Sequence, residues 1–160
     1  MKQRDLVAMT AEEVAVFLMA GRKVQLATNG PDGFPHLVTM YYVMKGGQIT
    51  FWTYRRSQKA CNLERDPRIS CLVESGEQYY DLRGVLVQGI ARRIDEPAEI
   101  AEIGHRIAAV LAGGTAAGPI PASDPGHLDD YVASAARKRV GYAVKPDRII
   151  SWDHAKLTPN

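Results

Sequence analysis

The sequence predicts a mainly β, α+β fold: a β-barrel of six to seven antiparallel strands with three to four peripheral helices, in a single domain spanning residues 1–160. Three observations carry this. Short runs repeat at the two-residue period of a strand, as in Val24/Leu26, Ile69/Cys71/Val73 and Val140/Tyr142/Val144. Dense turn chemistry, Gly30-Pro31-Asp32-Gly33 and Lys45-Gly46-Gly47, joins successive runs tightly. A very long strand pattern from Tyr79 to Ile94 is interrupted by Gly84 and Gly89, which suggests the bending or bulging that closing a small sheet requires.

The elements follow in chain order. Residues 1–9 read as a loose N-terminal arm. Thr10 and Glu13 have capping-box spacing, Val14, Phe17 and Leu18 give a helical face, and Gly21 stops the helix. Lys23 to Thr28, Phe34 to Met44 and Gln48 to Tyr54 read as a three-stranded meander. Ser57 caps a short helix to about Arg65, with Ala60 and Leu63 inward, and Asp66-Pro67 ends it. Ile69 to Glu74 is the next strand. After the long strand, Asp95 caps a helix with Pro97 early in it and one apolar stripe of Ile100, Ile103, Ile107, Val110 and Leu111. Residues 113–126, GGTAAGPIPASDPG, form a flexible loop, either a plain connector or a lid. A last helix starts near Asp124 and runs through Tyr131 to Lys138. Val140 to Val144 is a strand, Pro146-Asp147 a turn, and Arg148 to Trp152 the closing strand.

Bulk properties exclude several classes. A formal charge of +2 is too small to argue for nucleic acid or a membrane surface. Cys61 and Cys71 are too few for a disulfide framework and read as buried free thiols. The start has no apolar run of signal-peptide length and no segment reaches bilayer length, so the default expectation is a cytoplasmic protein. His36, His105, His127 and His154 are scattered without ligand spacing, so no metal site is expected. No GxSxG, HExxH or GxGxxG pattern is present.

The chain is organised around residues 49–68, ITFWTYRRSQKACNLERDPR. Arg55, Arg56 and Lys59 surround the start of the short helix. A helix start carries free N–H groups and a positive dipole end, and usually attracts acidic residues. Cations there point to an anion arriving from outside, with phosphate the natural candidate; a charged surface turn is the alternative.

The segment resembles the phosphate-binding strand–turn–helix of the pyridoxamine 5'-phosphate oxidase-like split-barrel flavoproteins. The residues that carry the likeness are Thr53-Tyr54-Arg55-Arg56-Ser57-Gln58-Lys59, then Asn62-Leu63 and Asp66-Pro67-Arg68. Gly30-Pro31-Asp32-Gly33, Pro35-His36-Leu37-Val38 and the tail Ile149-Ile150-Ser151-Trp152-Asp153-His154-Ala155-Lys156-Leu157 make it similar to the flavin/deazaflavin oxidoreductase branch that uses coenzyme F420. The resemblance implies an FMN-binding type of split barrel and a homodimer with its cofactor site at the subunit interface. It implies that Thr53, Arg55, Arg56, Ser57, Lys59 and Asn62 surround the cofactor's phosphate and anionic tail, with Arg68 a further cation for that tail. It also implies that Val38, Thr39 and Met40 flank the ring and that Trp152 approaches the partner's cofactor; a barrel-closing aromatic is the alternative for Trp152. The chain departs from the oxidase itself: His36 and Tyr41 stand where basic residues are found, and the oxidase's C-terminal arginine pattern has no match.

The resemblance implies an F420H2-dependent reductase, in which the cofactor performs the hydride step and no side chain need be catalytic. Two alternatives stay open: an FMN-dependent oxidoreductase of the same fold, and a non-catalytic protein that binds F420, haem or a lipid-like molecule.

Overall fold

A computed structural model describes residues 3–118 and 125–157. Its strands are β1 (Lys23–Asn29), β2 (Pro35–Tyr41), β3 (Val43–Lys45), β4 (Gln48–Tyr54), β5 (Arg68–Ser75), β6 (Arg83–Ile94) and β7 (Arg139–Asp153). They form one seven-stranded antiparallel sheet in the order β2-β1-β5-β6-β7-β4-β3. The two outermost strands, β2 and β3, are separated in the chain by Tyr42 alone. A flat sheet of this order would be about 29 Å wide at roughly 4.8 Å per strand gap, so strands one residue apart could not lie at its opposite edges. The sheet therefore curls until its edges meet at Tyr42, giving the split barrel.

Tyr42 is fully buried. Its hydroxyl donates to the Leu18 carbonyl at 2.5 Å and its N–H donates to the Arg22 carbonyl at 3.3 Å. Both partners belong to the end of α2 (Ala11–Ala20) and the residues after it, and the Thr10–Glu13 capping box starts that helix. Gly21 stops α2 without a left-handed turn, at φ −72°. A Cβ at Gly21 would run into the Tyr42 hydroxyl.

Two apolar layers result. Inside the barrel lie Val24, Leu26, Phe51, Ile69, Cys71, Val73, Val85 and Tyr142, with Ala60 and Leu63 of α3 (Gln58–Arg65) closing one end. Phe51 and Tyr142 stack with ring centroids 5.6 Å apart. Outside, Ile100, Ile103, Ile107 and Val110 of α4 (Pro97–Leu111) and Val132 of α5 (Pro125–Ala136) pack on Trp52, Ile94 and Ala143. None of the described helices is long and apolar enough to cross a membrane.

Several expectations change. The three-stranded meander is instead two hairpins at opposite edges, because the Phe34–Met44 run breaks at Tyr42. Within the second hairpin, Gly46 and Gly47 take φ of 56° and 74°, as a two-residue turn needs. The run from Tyr79 divides into a 3-10 turn, Tyr79–Asp81, and β6. Pro146-Asp147 is a bulge inside one continuous strand, β7: Gln88 pairs with Arg148 and Gly89 with Pro146, leaving Asp147 extra. Gly89 is required there because a Cβ would strike the Lys145 carbonyl.

Asp95 does not cap α4. Glu96 holds that position, and Asp95 binds Arg55 and Arg93 instead. Leu111 leaves the buried stripe and is exposed, and Cys61 is exposed while Cys71 is buried. Residues 3–7 of the expected arm form a short helix, α1 (Gln3–Val7), and the Met9 N–H donates to Ser151 Oγ at 3.1 Å. The described part of the expected 113–126 loop is tied down: Ala116 is buried, donates to the Gly21 carbonyl and accepts from the Met44 N–H. Residues 119–124 of that loop lie outside the described residues.

Tyr42→Phe removes the hydroxyl and orphans the Leu18 carbonyl. It is expected to lower unfolding free energy by about 1–2 kcal/mol in urea titration, with the slope unchanged.

Candidate functional site

The site opens where two strand edges face each other without pairing. β3 covers only Gln48–Thr50 of β4, so the edge from Phe51 to Tyr54 is free on that side, and β2 pairs with β1 alone. A cleft of about 340 Å3 is lined from both strands: Thr39, Met40 and Tyr41 of β2, and Trp52, Thr53 and Tyr54 of β4. Lys59 of α3 contributes to the lining, and Ile107, Leu111 and Tyr131 of the two outer helices complete an apolar wall. Gly104 lets α4 come close, since a Cβ there would overlap the Trp52 ring and Val132.

Lys59 reaches the cleft because Ser57 sets the start of α3. Ser57 Oγ accepts from the Ala60 N–H at 3.3 Å as the N-cap and shares a 3.1 Å hydrogen bond with Thr53 Oγ1. Lys59 Nζ donates to the same Thr53 oxygen at 3.1 Å. Burial lowers the Lys59 pKa below the usual 10.5. Among the described residues it has no carboxylate within salt-bridge distance. A half-buried ammonium held only by a hydroxyl has donor capacity left for an external anion.

The other expected residues divide. Thr39, Met40, Thr53 and Lys59 share the cleft, with Ser57 beneath Thr53. Arg55 turns away to Asp95 at 3.0 Å, and Arg56 is exposed. Arg68, the further cation for the anionic tail, pairs with Asp66 at 2.7 Å. Asn62 is fully buried in a structural network: its Nδ2 donates to Thr28 Oγ1 at 3.0 Å and its Oδ1 accepts from Gln58 at 2.8 Å. Val38 packs against the barrel core, and Trp152 lies over Gly84, outside the cleft lining of its own chain.

Sequence reasoning missed Arg139, which lines the cleft beside the end of α5. The β4–β7 register places it directly across from Tyr54. Its guanidinium carbon lies 4.5 Å from the Trp52 ring centroid and 4.4 Å from that of Tyr54. No local motif marks it; only the pairing of two strands distant in the chain brings it here.

Residues 10–153 match the pyridoxamine 5'-phosphate oxidase family. Comparison with curated proteins finds no match. Among solved structures, a conserved hypothetical protein from Mycobacterium tuberculosis is 39% identical with a TM-score of 0.86, covering 100% of this chain and 95% of that one. A structure described as an F420 reductase is 22% identical with a TM-score of 0.58, over 84% of this chain and 93% of its own. A FAD-binding protein from Mesorhizobium loti is 20% identical with a TM-score of 0.65, over 90% and 94%. The last two show likeness of fold.

Asn62→Ala leaves the buried Thr28 hydroxyl without its donor. The expected cost is about 1–3 kcal/mol of unfolding free energy, read from the denaturation midpoint.

Proposed function

The chain belongs to the pyridoxamine 5'-phosphate oxidase family, and on that premise we propose that it is an F420H2-dependent reductase acting on a small organic acceptor. The observation that carries this reading is Lys59, a half-buried cation without a carboxylate partner among the described residues, set in a largely apolar cleft. That donor set fits a flat aromatic cofactor with a phosphate: the ammonium and the Thr53 and Ser57 hydroxyls suit the anion, and the Met40 and Trp52 surfaces suit a ring. Fold likeness to a structure described as an F420 reductase supports the deazaflavin, and likeness to a FAD-binding protein keeps FMN as the second choice.

The deazaflavin would supply hydride when bound. The chain's own residues bind, orient and exclude water. Lys59 and Thr53 hold the phosphate end, Thr39 and Met40 flank the ring from β2, and buried Ile107 of α4 supplies an apolar outer wall. Arg56 remains exposed beside the helix start and can meet an anionic tail. The reading includes a homodimer: Phe34, 77% exposed just before the edge strand β2, and Leu37, 66% exposed within it, would be covered by a second copy, and Trp152 would approach the partner's cofactor.

Parallel titrations with F420 and FMN, followed by tryptophan fluorescence, test the reading. Micromolar or tighter F420 binding with weak FMN binding, followed by acceptor reduction with F420H2, is the expected result. Tight FMN binding moves the assignment to the flavin, binding without turnover to a carrier, and no binding removes the cofactor reading. Lys59→Ala is expected to weaken cofactor binding at least tenfold, from a charge-assisted contact of about 1.5–3 kcal/mol.

The pH dependence has a definite sign. Only the ammonium form of Lys59 attracts phosphate, and burial has already lowered its pKa. Affinity should hold at neutral pH and fall as pH rises through that lowered value, earlier than with an exposed lysine. A flat profile to above pH 10.5, measured in the same titration, would contradict the role.

A further inference from the structure

Arg139 is not explained by the fold's own charges. Among the described residues it has no carboxylate within salt-bridge distance, and its one side-chain hydrogen bond there, from Nη1 to the Ala135 carbonyl, is long at 3.4 Å. Two aromatic rings hold it instead. Trp52 and Tyr54 are two residues apart on β4 and therefore on the same face, and Arg139 lies across from Tyr54 on that face. Contact with the rings uses none of its five N–H donors in a conventional hydrogen bond, and among the described residues only one of them has a protein acceptor. Trp52 is buried beneath α4, so this cation is partly desolvated. Lys59 lines the same cleft with the same lack of a carboxylate.

Both cations line one apolar cleft without a carboxylate to neutralise them, Arg139 from the Trp52–Tyr54 face of β4 and Lys59 through its bond to Thr53 at the same unpaired edge. We infer that Arg139 is a second anion ligand of this cleft, forming with Lys59 a two-cation seat for a phosphate group, monoester or diester. The β4–α3 turn contributes one side of that seat and the start of β7 the other. The planar fork of Arg139 suits two oxygens of one phosphate, while Lys59 acts as a point charge. This deepens the cofactor reading above and rests on it.

The test uses full-length protein and two ligand pairs that differ only in phosphate: FMN against riboflavin, and the 5'-phosphate of the F420 deazaflavin core against that core. The pair that binds wild-type protein identifies the source of the phosphate. In that pair, Arg139→Gln is expected to weaken the phosphorylated member at least tenfold and leave the phosphate-free member within twofold. Arg139→Lys, which keeps charge but loses the fork, should lose about threefold on the phosphorylated member alone. Equal losses on both members would make Arg139 a wall residue and overturn the inference. Unchanged affinities in Arg139→Gln, with Lys59→Ala still losing tenfold, would overturn it while the cofactor reading stands. Wild-type protein that binds neither pair removes both. If Arg139→Gln does not fold, Arg139→Lys decides: a selective loss supports the seat, and a parallel loss or none overturns it.

Discussion

The structure depends on a one-residue joint. Tyr42 connects strands that occupy opposite edges of the sheet, so the sheet has no choice but to curl. The joint is secured from the side by α2, through the Tyr42 hydroxyl on the Leu18 carbonyl, and space for it is reserved by Gly21. Curling without complete pairing leaves β2 and the far half of β4 facing each other across an unpaired gap. Free strand edges are ordinarily a liability for a protein, and here both line the cleft. The barrel's closure and its candidate site are thus two results of the same geometry.

Charge placement around that gap separates structural from available cations. Arg55 and Arg93 gather on Asp95, Arg68 on Asp66, and Lys45 on Glu99 and Glu102. Arg68 and its neighbours hold the Asp66 carboxyl well below the usual carboxylate range, which makes that turn a settled ion pair. Lys59 and Arg139 differ from these because their contacts are hydroxyl, carbonyl and aromatic. Such contacts position a cation without neutralising it.

Local physics made much of this legible in the chain. The Thr10–Glu13 cap, the Ser57 cap, the alternation in β1 and β5 and the Gly46-Gly47 turn each depend on residues a few positions apart. Lys59 was visible for the same reason. Strand partnership was not, because hydrophobic alternation defines faces and leaves neighbours open. The Phe34–Met44 run therefore read as one strand, and Arg139 carried no signal until β4 and β7 were paired. Arg55 and Asp95 misled together: each read alone as a helix-end residue, and each found the other.

The bulge in β7 has a consequence for how this chain tolerates length change. Before it, Val140, Tyr142 and Val144 face the barrel interior; after it, Ile149 and Ser151 are the residues opposite Val87 and Val85. Asp147 thus works as a phase shifter between even and odd positions. A one-codon deletion of Asp147 would close the bulge and keep every later residue on its present face, with Ser151 still opposite Val85. Loss of one paired residue after it, Ile149 or Ile150, would instead invert every later side chain, turning Ser151 away from the Met9 N–H and unfastening the tail from the segment before α2. Homologous chains that differ in length should therefore place their insertions and deletions at the bulge rather than in the paired strand beyond it.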